Sequence, residues 1–114
     1  MNTARWILYT AALVVITLNI FPMLEKPVAA GPPMVDVKID NFSFTPPDLK
    51  VKAGTQITWT NGDDIPHNVV SDDKTFKSKV LDTDEKFTFT ASTPGTYSYY
   101  CSIHPKMTGK VVVE

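Results

Sequence analysis

From residue 34 onward, apolar and polar residues alternate in short runs. Val35, Val37 and Ile39 alternate with Asp36, Lys38 and Asp40, the period of two that marks a strand with one buried face. The phase slips at Asp40-Asn41 and resumes at Phe42 and Phe44, which predicts a bulge or a crossing between sheets. Pro46-Pro47 ends that segment, and Leu49 and Val51 alternate with lysines before a turn at Ala53-Gly54. Ile57 and Trp59 face one way from a third strand, which stops at the turn signal Asn61-Gly62-Asp63. His67-Asn68-Val69-Val70 opens another short strand. Between Ser71 and Asp84 only Phe76, Val80 and Leu81 interrupt a polar stretch, and the pattern assigns no element. Phe87 and Phe89 alternate with threonines, Thr93-Pro94-Gly95 turns, and Tyr97, Tyr99 and Cys101 share one phase. Val111 and Val113 form a last strand. Short alternating strands with regular turns and no helical period predict an all-β sandwich or barrel.

The N-terminus follows another pattern. Arg5 precedes an apolar run, Trp6 to Phe21, broken only by Thr and Asn. Pro22 and a short polar stretch follow, ending Val28-Ala29-Ala30, where small residues fit a signal-peptidase site and leave Gly31 as the mature start. The run also suits an uncleaved anchor, at the short end of the roughly 17–25 residues a bilayer requires. Residues 1–30 are thus expected to be a signal peptide or N-terminal membrane anchor, and residues 31–114 a single domain. That domain is expected to be periplasmic or secreted, touching a membrane only through residues 6–21 if they are retained.

Charge adds little. Eleven Lys and Arg stand against twelve Asp and Glu, a net −1, which offers no electrostatic footprint for nucleic acid. The scarce residues say more. Cys101 is the only cysteine, and His67 and His104 are the only histidines. In an oxidising compartment an unpaired cysteine calls for an explanation: an intermolecular bridge, a buried inert thiol or a metal ligand. His104 and Met107 follow Cys101 at three-residue steps in a turn-rich segment. Cys101 ends one strand, His104 and Met107 lie in the loop before the last, and His67 starts a separate strand. Antiparallel packing can bring all four to one pole. Two imidazoles and a thiolate in a plane, with a weak axial thioether, describe a one-electron copper site holding a single ion. Zinc would leave Met107 unused. A cysteine hydrolase needs a cleft and an oxyanion hole that so small a sandwich hardly offers. A copper carrier or storage protein would use the same ligands, but beyond residue 30 the only methionines are Met34 and Met107, few for handing on an ion.

The run Gly95-Thr96-Tyr97-Ser98-Tyr99-Tyr100-Cys101, the Cys-x2-His-x2-Met loop and the ending Gly109-Lys110-Val111-Val112-Val113-Glu114 closely resemble the cupredoxins, and within them the amicyanins. So do Ile57-Thr58-Trp59-Thr60-Asn61 and Pro66-His67-Asn68-Val69. The resemblance covers most of residues 34 to 114. It implies a Greek-key β-sandwich or barrel that is no enzyme but a type 1 copper carrier of single electrons, with His67, Cys101 and His104 as equatorial ligands and Met107 as the axial one. It also implies redox partner proteins docking near His104, no small-molecule substrate, and an Asn61 side chain that pins the ligand loop. Two residues depart from the amicyanin pattern: Ile103 stands in place of a proline and Lys106 in place of a bulky aromatic.

Overall fold

The structure is a computed structural model that describes residues 15–17 and 31–114. The expected signal or anchor segment lies almost wholly outside the described residues, among which no helix is long and apolar enough to cross a membrane.

Eight strands form two four-stranded sheets. They are β1 (Met34–Asp40), β2 (Ser43–Thr45), β3 (Asp48–Val51), β4 (Thr55–Asn61), β5 (Val70–Ser71), β6 (Lys86–Ala91), β7 (Gly95–Tyr100) and β8 (Thr108–Val113). One sheet runs β2-β1-β4-β6 and the other β3-β8-β7-β5. β1 pairs with β4 in parallel, and β3 with β8 likewise; the remaining pairs are antiparallel. The expected all-β sandwich is therefore present. Inward-facing residues of both sheets, among them Val37, Ile39, Ile57, Trp59, Tyr99 and Val111, are at most 1% exposed. Each strand thus turns its apolar phase toward the other sheet, where burial is worth about 25 cal/mol per Å² of apolar surface.

The phase slip after β1 has a different cause from the expected bulge or crossing. Asn41 and Phe42 both take positive φ, 49° and 57°, and Asp40 pairs with Ser43 across them. This is a two-residue hairpin turn of the type I′ kind. β2 stays in the sheet of β1, and the chain changes sheets only later, at Pro46-Pro47, before β3. The turn separates the two phenylalanines: Phe44 is buried, whereas Phe42 is 53% exposed. Left-handed backbone costs a residue with a Cβ about 1–2 kcal/mol, so something outside the turn must hold it.

Tyr99 shows how tightly the core is drawn. It faces Gly109 across β7 and β8, and any Cβ at Gly109 would collide with the Tyr99 ring. The Tyr99 hydroxyl and the Trp59 indole nitrogen are buried with no hydrogen-bond partner among the described residues. Burial pushes the Tyr99 phenol up from 10 to about 12, and the neighbouring Trp59 offsets only part of this. Because folding favours the neutral phenol, its contribution is complete below pH 10 and is lost as pH rises toward 12. A shift of about two units corresponds to roughly 2–3 kcal/mol. Tyr99→Phe is therefore expected to lose less stability than the parent between pH 10 and 12, by about that amount, in parallel denaturant titrations. Equal alkaline losses would contradict the assignment.

Candidate metal centre

The loops at the Asn41–Phe42 pole gather the scarce residues. His67 follows the turn after β4 and makes an isolated bridge to Leu81. The strand expected to open at His67 is thus reduced to that bridge plus β5. Cys101 directly follows β7, and its N–H donates to the Met107 carbonyl at 3.1 Å, while the Met107 N–H donates to the His104 carbonyl at 2.8 Å. These two bonds close a tight loop. Met107 is 5% exposed and lies in that loop, and His104 is half-buried.

Three donor atoms meet there. Cys101 Sγ lies 3.7 Å from His67 Nδ1 and 3.8 Å from His104 Nδ1, and the two nitrogens are 3.2 Å apart. Metal–nitrogen bonds of about 2.0–2.1 Å and a metal–sulfur bond of about 2.3 Å, set at trigonal angles, put sulfur and nitrogen about 3.8 Å apart and the two nitrogens about 3.5 Å apart; the sulfur distances match, and the 3.2 Å between the nitrogens closes that angle to about 100°. The set fits a single ion. Cys101 and His67 are fully buried, so the sulfur points inward as its phase implied.

His67 is oriented by Asp63, whose Oδ2 is 2.7 Å from His67 Nε2. A carboxylate can only accept, so Nε2 carries the proton and Nδ1 presents its lone pair to the other two donors. Partial burial alone would raise the Asp63 pKa, but the Phe42 and Asn41 amides and His67 outweigh it and hold the carboxyl below its usual range. At neutral pH it is the acceptor this arrangement needs.

Two asparagines hold the surrounding loops. Asn61 Nδ2 donates to the carbonyls of Ile65 (2.9 Å) and Leu81 (2.8 Å), and Asn61 Oδ1 accepts from the Asp63 N–H. It therefore pins the loop that leads to His67. The Cys101–Met107 loop is fastened by Asn68, whose side chain accepts from the Ser102 N–H and donates to Ser102 Oγ, both at 2.7 Å. The Asn68 N–H also points at Cys101 Sγ, 3.4 Å away.

Asp63, Asn68 and Phe42 are the contributors that sequence reading did not single out. Asn68 adjoins His67, which was a usable signal; Asp63 read as a turn residue and Phe42 as the point where the strand phase resumes. The Phe42 ring instead stands edge-on to both imidazoles, 5.8 Å from His67 and 5.1 Å from His104 between centroids. With Ile103, Pro105, Lys106 and Met107 it lines a shallow, mainly apolar depression around His104.

Comparison with known proteins gives the same reading. Residues 10–113 match the family model of the cupredoxin-like domain. Amicyanin of Paracoccus versutus is 36% identical over 98 residues, covering 79% of this chain and 74% of that protein. Amicyanin-alpha of Methylorubrum extorquens is 38% identical over 96 residues, covering 80% and 81%. Among solved structures, a purple cupredoxin of Nitrosopumilus maritimus superposes with a TM-score of 0.67 at 33% identity, over 70% of this chain and 99% of that one. With its two-sheet fold and its His67–Cys101–His104 cluster, the chain belongs to the cupredoxin family, as a type 1 copper electron carrier and not an enzyme.

Proposed function

We propose that residues 31–114 form an exported cupredoxin domain in which His67 Nδ1, Cys101 Sγ and His104 Nδ1 would hold copper, with Met107 as its fourth ligand. The observation that carries this reading is the donor triangle, with sides of 3.2, 3.7 and 3.8 Å. Bound copper supplies a one-electron couple between Cu(I) and Cu(II). The chain's own residues do the rest. Asp63 and Asn68 hold His67 and the Cys101 loop, so the donors keep one geometry suited to both oxidation states. Burial of His67 and Cys101 keeps solvent away from two of the three donors.

His104 is the half-buried member of the set and reaches the surface depression. Redox partner proteins are proposed to dock there, against Phe42, Ile103 and Pro105, with Lys106 at the rim. Residues 1–30 are proposed to direct export to the periplasm, by cleavage or as an anchor. β1 runs from Met34 to the turn beside the site, so a segment leaving its start departs from the far pole.

The ligand set is tested at its weakest member. Met107→Gln is expected to retain copper but lower its reduction potential, because a harder oxygen donor favours Cu(II) over Cu(I). A drop of about 60 mV or more corresponds to at least a tenfold change in relative affinity for the two states. An unchanged potential would leave Met107 as core filler alone.

A further inference from the structure

The Asp63 carboxylate serves two parts of the structure at once. Oδ2 accepts from His67 Nε2 at 2.7 Å and from the Phe42 N–H at 3.2 Å, while Oδ1 accepts from the Asn41 N–H at 2.7 Å. The Asp63 side chain is only 12% exposed, and its own N–H is fixed by Asn61 Oδ1 at 2.9 Å. The two amides it holds belong to the residues with φ of 49° and 57°. What the conformation achieves is to display the Phe42 ring, 53% exposed, in T-shaped contact with both imidazoles.

We propose that Asp63 is a positioning residue that fixes the His67 tautomer, with the Nδ1 lone pair toward the metal position, and that the same carboxylate clamps the β1–β2 turn so that Phe42 shields the two imidazoles from competing ligands in solution. This rests on the metal-site reading above, but its first test needs no metal. With Asp63 in place, the His67 proton belongs on Nε2, because the carboxylate there accepts at 2.7 Å, against 3.2 Å from Nδ1 to His104 Nδ1 and 3.7 Å to Cys101 Sγ. Remove the carboxylate and neither tautomer is enforced; the turn also loses the acceptor for both amides, and Phe42 is released. Phe42 itself touches the imidazoles without hydrogen-bonding them, so its loss should uncover the site and leave the tautomer alone.

Long-range proton–nitrogen NMR of the metal-free parent is expected to show His67 solely as the Nε2–H tautomer, and Asp63→Ala a mixture. Copper(II) affinity by competition should fall about 10–100-fold in Asp63→Ala. Phe42→Ala should keep the parent tautomer while azide binding to the copper(II) form, followed by visible and EPR spectra, strengthens at least about tenfold. Because the two residues act through one clamp, Asp63→Ala/Phe42→Ala should bind azide no more tightly than Phe42→Ala alone. An Nδ1–H tautomer in the parent, or an Asp63→Ala variant with unchanged tautomer and copper affinity, overturns the positioning role. Unchanged azide affinity in Phe42→Ala, or gains that add independently, overturns the clamp. If Asp63→Ala does not fold, the parent tautomer and the Phe42→Ala titration still decide.

Discussion

Cys101→Ser is expected to abolish the intense visible absorption of the oxidised, copper-loaded protein while the sandwich stays folded. The band arises from charge transfer between a thiolate and Cu(II), and Cys101 is the only thiol in the chain. Serine has nearly the same shape, and the buried position offers its hydroxyl the Asn68 N–H that now points at sulfur. Leaving that N–H entirely unpaired would cost about 1–3 kcal/mol; the hydroxyl limits the loss. Visible spectra of parent and variant, with near-ultraviolet circular dichroism as the check on packing, measure both halves. A variant that keeps the band, or an oxidised copper(II) parent that has none, contradicts the proposed ligand set.

His104→Gly should have the next largest effect. Of the three donors only His104 reaches the surface depression, for His67 and Cys101 are fully buried. Removing its ring leaves His67, Cys101 and Met107 as protein donors and opens the vacated position to solvent. Electron exchange with an outside partner or a second molecule should slow by at least an order of magnitude, since the exposed route is gone. Added imidazole should occupy the vacated position and restore the spectrum more fully than the exchange rate, because a free ring is not held by the Cys101–Met107 loop. Stopped-flow measurement with and without imidazole checks this. An unchanged rate would mean that electrons enter elsewhere.

The framework of the fold was legible because most strands bury one face, and period-two alternation records that directly. Val37, Ile57, Trp59, Tyr99 and Val111 all lie where their phase placed them. The slip at Asp40-Asn41 was visible but ambiguous. A bulge, a crossing and a two-residue turn all shift phase by changing which residues oppose one another, and an Asn-Phe pair lacks the glycine that advertises a type I′ turn. The stretch from Ser71 to Asp84 stayed opaque because it is held by side chain–backbone bonds, such as Val69 N–H to Ser78 Oγ and Phe76 N–H to Ser71 Oγ. Such bonds leave no hydrophobic period. At the site, the meeting of His67, Cys101 and His104 was readable from residue scarcity and spacing. Asp63 was not, since its role depends on the β1–β2 turn lying beside the loop before His67, a contact between residues 21 and 22 positions apart.

As an electron carrier, this chain would pass electrons and keep its copper. A reductive titration of the copper-loaded protein, with metal content measured after dialysis in each oxidation state, tests this most directly. The expected result is one electron taken up per chain, reversibly, with one copper retained in both states. Loss of copper on reduction, or its transfer to a competing chelator in step with reduction, would instead identify a protein that delivers the ion.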